Sequence, residues 1–106
     1  MANFVLLYTG GSMPKGDSER KLVTEAWNKW YSRLGQAVVD QGNPFNPIAK
    51  SITSDGRVME ATACTAASGY SVIKAESLNK ALELAKGCPV LKGGGEISVY
   101  ETFPAM

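Results

Sequence analysis

Histidine is absent from the 106 residues of this chain. That excludes Ser-His-Asp and Cys-His catalysis, imidazole proton shuttles and every histidine metal site. Cysteine is scarce, with Cys64 and Cys88 the only two. A zinc cage usually takes four ligands, and this pair is too widely spaced for a Cys-x-x-Cys redox motif. No metal site and no cofactor are therefore expected. A disulfide between the two cysteines would need an oxidising compartment, and the plainer reading is two small buried hydrophobes. An excess of either charge is lacking too: eleven Lys and Arg against ten Asp and Glu leave a net +1. Nucleic acid is thus not an expected partner, because it demands a clustered basic face. No run approaches the ~20 apolar residues of a membrane span. The apolar start Phe4-Val5-Leu6-Leu7-Tyr8 has no Lys or Arg before it, unlike a secretory leader. A cytoplasmic protein with no membrane partner is expected.

Hydrophobic residues make up 44% of the chain and charged residues 20%, the balance of an ordinary globular protein. The length predicts a single domain over 1–106. Residues 3–9 read as a strand that is apolar on both faces, with Phe4, Leu6 and Tyr8 on one side and Val5 and Leu7 on the other. A helix is predicted from Ser18 or Glu19 to Leu34. Its apolar face carries Leu22, Val23, Ala26, Trp27, Trp30, Tyr31 and Leu34, and Gly35 closes it. Ala37-Val38-Val39-Asp40 then leads into a proline-flanked loop, Gly42 to Pro47. Residues 48–53 and 57–61 flank Asp55-Gly56, a dipeptide suited to a tight hairpin turn. Residues 62–68 are small and aperiodic and read as a loop. Tyr70 to Ala75 alternates as a strand. Ser77 is placed to cap a second helix with Leu78, Ala81, Leu82 and Ala85 on one face, stopped by Gly87 and Pro89. Gly93-Gly94-Gly95 turns into a last strand, 96–101.

This order predicts a ferredoxin-like α+β sandwich, one antiparallel sheet with two helices on one face. Two helices cover one side only. The first strand is apolar on both sides, and Tyr70, Val72 and Tyr100 join it on the uncovered face. Such a patch exceeds what monomers usually leave wet, so a homodimer packing sheet to sheet is expected.

At this point the residues resemble a known family. Trp27-x-x-Trp30, Leu34-Gly35 and Val39-Asp40-x-Gly42-Asn43-Pro44 are similar to the YCII-related proteins, a branch of the dimeric α/β-barrel superfamily. So are Gly69-Tyr70-Ser71-x-Ile73-x-Ala75-x-Ser77-Leu78, its continuation through Ala81-Leu82-x-Leu84-Ala85-Lys86-Gly87-Cys88-Pro89, and the closing Val99-Tyr100-Glu101. The resemblance spans nearly the whole chain. It implies the same fold and dimer, in a family whose activity is mostly undefined. Two departures stand out. Arg57-Val58-Met59-Glu60 occupies the place of the family's Asp-Gly-Pro-Phe motif, and the histidine proposed with an aspartate as an active site has no counterpart here.

Candidate binding residues follow from the predicted faces. Tyr8, Tyr70 and Tyr100 are expected on the face away from the helices, where phenols either orient a small polar molecule or fill the dimer interface. Asp40 with Asn43 is the best polar cluster. A carboxylate in an apolar cleft can serve as a base, although residues of this kind more often cap their own turn. Trp30, one helical turn from Trp27, has a stacking role to set against a packing role. Lys74 shares the face of Tyr70 and offers an anion contact or an ion pair with Glu96 or Glu101. The glycines at 10–11 and 93–95 lack the context of a phosphate loop. Two functions result. One is a small-molecule-binding homodimer with its pocket between sheet and partner. The other is a cofactor-independent lyase, isomerase or monooxygenase-like enzyme using Asp40 and tyrosines.

Overall fold

The computed structural model describes residues 1–11, 16–46, 48–60 and 67–104. Among these residues six strands and two helices follow one another: β1 (Ala2–Thr9), α1 (Asp17–Leu34), β2 (Val38–Asp40), β3 (Lys50–Ile52), β4 (Val58–Glu60), β5 (Ala67–Ala75), α2 (Leu78–Ala85) and β6 (Glu96–Glu101). Short 3₁₀ turns at Gly35–Ala37 and Pro89–Leu91 link them. The main sheet is antiparallel, in the order β2-β5-β1-β6. The fold is thus α+β, with a four-stranded sheet and two helices, an arrangement compatible with a ferredoxin-like sandwich.

Local signals in the chain explain most boundaries. Gly35 caps α1 with φ +57° and donates its N–H to the Tyr31 carbonyl. The Ser77 hydroxyl accepts the Lys80 N–H, capping α2 as expected. Asp55-Gly56 turns the β3–β4 hairpin, where Asp55 accepts from the Thr53 hydroxyl and from Arg57. These donors hold the Asp55 carboxyl below its ordinary range.

Three expectations need correction. The hairpin does not join the main sheet but stands as a separate pair of strands, and the short β2 takes the edge beside β5. Its three residues are too few to show a period, so nothing in the pattern singled them out. Strand β5 begins at Ala67, claiming two residues read as loop; the others of that loop, Cys64 included, lie outside the described residues. Leu22 and Val23 are exposed, so the packed face of α1 is its later part, where Trp27, Trp30, Tyr31 and Leu34 join the core.

Register assigns the faces, since residues paired across strands point the same way. Phe4, Leu6 and Tyr8 of β1 align with Ile73, Ser71 and Gly69 of β5, and all six are buried. Phe4, Leu6, Tyr8 and Ile73 form one cluster with Trp30, Ala75, Ala81, Ala85 and Cys88, with Ile97 and Val99 packed alongside. Both helices therefore bury their apolar stripes against the same face. On the other face Val5 aligns with Val72 and Tyr100, and Leu7 with Tyr70. Tyr100 there is 57% exposed and Val39, on the neighbouring edge strand, 49%.

The molecule measures 44 × 43 × 18 Å. Eighteen ångströms is about the thickness of one sheet and one helix layer, roughly 10 Å each. The radius of gyration is 15.1 Å, against about 13 Å for a compact domain of this size. The larger value fits the shape of a thin plate, with two long axes and one short one.

Candidate functional site

The helix-facing side of the sheet opens into a cleft of about 380 Å³ between α1 and the loop after β2. Thr24, Trp27, Asn28 and Tyr31 form its helical wall at the i, i+3, i+4, i+7 spacing that aligns side chains on one face. Tyr8 supplies the sheet side, and Gln41 to Pro44 form the opposite rim. That rim continues the sheet edge: Asn43 accepts the Tyr70 N–H at 3.3 Å, and Phe45 donates its own N–H to Ser68 at 2.8 Å. Gly42 makes the approach feasible. Its φ is +75°, and a Cβ there would stand 1.8 Å from the Tyr70 carbonyl oxygen.

A chain of hydroxyls ties the floor of the cleft together. Ser71 is fully buried on a face otherwise apolar, so its Oγ must find partners inside the protein. It donates to the Gln41 carbonyl at 2.8 Å. Since that uses its one proton, Tyr8 Oη must be the donor in the 2.7 Å bond between Tyr8 and Ser71. Tyr31 Oη donates to the same Gln41 carbonyl at 3.0 Å. Burial pushes the Tyr8 phenol far above its ordinary range, opposed by the Ser71 hydrogen bond. Tyr31 is also raised, again mainly by burial, with the Asp40 carboxylate and Cys88 adding to it. Both phenols are neutral donors whose protons point into the protein. Aromatic rings complete the wall: Tyr8 meets Trp27 edge-on at 5.6 Å, and Trp27 lies 5.7 Å from Tyr31.

Three of the candidate binding residues meet in this cleft: Tyr8, Asn43 and Tyr70. Tyr8 does so from the helix side, not from the open face as expected. Its alternation with Phe4 and Leu6 puts it on the deeper face, and the hydroxyl is accommodated there by Ser71. Tyr70 does stem from an open-face position of β5, where its ring stacks on Phe45 at 5.7 Å. Tyr100 lies on the open face, exposed and apart from the cleft. Trp30 is in the core, 3% exposed, with its indole N–H donated to the Leu84 carbonyl at 3.1 Å. Packing, not ligand stacking, is its structural role.

Asp40 is exposed and is not among the residues lining the cleft. Its Oδ1 accepts the Gly42 N–H at 2.8 Å, capping its own turn. The hydrogen bond ties the carboxylate to the rim, outside this cleft. Lys74 stands exposed on the open face. Cys88 is a free, buried thiol packed near Tyr8, and burial raises its pKa.

The reading of the sequence did not single out Gln41, Ser71 or Tyr31 as site residues. Ser71 carried a usable signal, a lone hydroxyl between Ile73 and the apolar positions of a buried strand face. Gln41 acts through its carbonyl, which leaves no mark in the side-chain pattern. No helix among the described residues is long and apolar enough to cross a membrane. No protein-family model matches the chain, and no curated protein is significantly similar to it.

Proposed function

We propose that this chain is a YCII-related homodimer that holds a small molecule in the cleft between α1 and the sheet. The cleft itself carries the reading: about 380 Å³ falls within the range of small-molecule sites, roughly 300–1,000 Å³. Its walls combine aromatic rings with a few fixed hydrogen-bonding groups, the usual composition of such sites. The residues that carry the family resemblance are the ones that build it. Trp27 lies in the helical wall, Gly42-Asn43-Pro44 in the rim, and Gly69-Tyr70 beside them, with Ser71 in the floor network.

The dimer rests on the opposite face. Val5, Leu7, Val72 and Tyr100 form an apolar surface that no layer of described residues covers in one copy. The β3–β4 hairpin adds Ile52, Val58 and Met59, all exposed. An isolated two-stranded hairpin is marginal in water, and a second copy provides it with a surface. The ligand then lies on the helix side of each sheet, and the partner covers the other side. The Oδ1 of Asp40, the base named in the catalytic alternative, is bonded to the Gly42 N–H and Asp40 is not among the residues lining the cleft, which favours the binding reading.

A thermal-shift screen of small aromatic alcohols, amines and carboxylates tests the binding function. A ligand that binds only the native state raises Tm with concentration, by about 4–8 °C for each kcal/mol in a domain of this size. The shift is expected in the wild-type chain and lost in Thr24→Trp, which fills the mouth from an exposed helical position. A shift that survives in Thr24→Trp would place the ligand elsewhere.

A further inference from the structure

We infer that the ligand of the cleft is an amine, an ammonium group on a small apolar or aromatic body, and not a carboxylate or phosphate. This rests on the reading of the cleft as a ligand site and adds the chemical class. Proton placement is the first ground. Tyr31 Oη gives its proton to the Gln41 carbonyl, and Tyr8 Oη gives its proton to Ser71. Thr24 Oγ1, on the helical wall, gives its proton to the Arg20 carbonyl at 2.9 Å. Each of these hydroxyls is left with lone pairs only, so toward a ligand they accept and do not donate. An ammonium or amine satisfies such groups. An anion meets oxygen facing oxygen.

Charge is the second ground. None of the described residues lining the cleft is Lys or Arg, the side chains that hold carboxylates and phosphates. No Asp or Glu among the described residues lines it either, and the Asp40 carboxylate stands one residue before the Gln41 to Pro44 rim, bonded to the Gly42 N–H. The third ground is the wall itself. Tyr8, Trp27 and Tyr31 present ring surfaces around the space, and aromatic faces attract cations. Asn28, Gln41 and Asn43 can turn either end of their amides toward a ligand, and the Ser68 hydroxyl can donate or accept, so these four do not discriminate.

Three probes of one shape separate the outcomes: 2-phenylethylamine, 2-phenylethanol and 3-phenylpropionate, carrying a cation, a neutral hydroxyl and an anion. Each is titrated into the full chain while the indole N–H resonances are followed. Trp27 lines the cleft and reports occupancy, whereas Trp30, bonded to Leu84, serves as the internal control. The amine is expected to shift Trp27 at the lowest concentration, the alcohol to follow and the carboxylate to be weakest, by roughly tenfold or more against the amine. Tyr31→Phe removes the accepting oxygen and is expected to weaken the amine by roughly tenfold, leaving the alcohol less affected. The wild-type ranking decides the question even if that variant is poorly folded. Tightest binding by the carboxylate, or equal binding of all three, overturns the amine assignment and leaves the cleft as a ligand site. If no probe moves Trp27 at millimolar concentration, the assignment and the ligand site are both overturned.

Discussion

At the scale of single residues, Ser71 holds the interior of the site together. It accepts from Tyr8 and donates to Gln41, so its removal and the removal of its donor have different consequences. Ser71→Ala leaves a buried phenol with an unpaired O–H, expected to cost about 1–3 kcal/mol. Tyr8→Phe leaves Ser71 still donating to Gln41 and is expected to cost less, about 0.5–1.5 kcal/mol. Denaturant unfolding of both single variants and the double variant checks this; the double variant should lose less than the sum. Equal or reversed costs would contradict the assigned proton directions. The raised groups nearby set an alkaline limit. In the unfolded chain Cys88 and Tyr8 ionise near their ordinary values of 9.0 and 10.0, whereas burial keeps both protonated in the fold. The unfolded state thus sheds protons first. Their contribution is complete below about pH 8 and declines as pH rises, by at most ~1.4 kcal/mol per pH unit for each group. Stability measured from pH 7 to 11 should fall, with a shallower slope above pH 10 in Tyr8→Phe.

At the scale of elements, the rim between β2 and β5 depends on a backbone approach that only glycine permits. Gly42→Ala forces a Cβ into the Tyr70 carbonyl at a positive φ, and is expected to cost on the order of 2–4 kcal/mol. Thermal denaturation checks the loss, and wild-type stability in that variant would contradict the tight rim. Much of this level was legible in the chain. Ser77 at the start of α2, Gly35 at the end of α1 and Asp55-Gly56 in the hairpin are local signals, settled within a few residues of backbone. Strand β2 was not legible, because three residues carry no period and their pairing with β5 is decided some thirty residues away. The face of Tyr8 was readable from its alternation with Phe4 and Leu6. The assumption that a phenol seeks the open face misplaced it, since the partner that makes its burial tolerable, Ser71, belongs to another strand. Among the site residues, Asn43 and Tyr70 were foreseen. Tyr31 and Gln41 emerge only from the way α1 crosses the sheet.

At the scale of the whole molecule, one sheet has two apolar faces and a single helix layer. The helices enclose the cleft on one side. Among the described residues no second layer lies over Val5, Val72 and Tyr100 within one copy, in keeping with the 18 Å thickness. The exposed hairpin raises the same demand for a partner from a different part of the chain. Two copies meeting at these surfaces would bury both, in the manner of isologous interfaces with a two-fold axis. A charge placed at the centre of that surface should separate them without disturbing the helix side. Sedimentation equilibrium of the wild-type chain and of Val72→Lys at micromolar concentration is the most direct measurement. Twice the 11.3 kDa chain mass is expected for the wild type and the single chain mass for the variant, with folding retained in both. A wild-type chain that sediments as a stable monomer would show that the apolar sheet face needs no second copy, and the proposed dimer would fall.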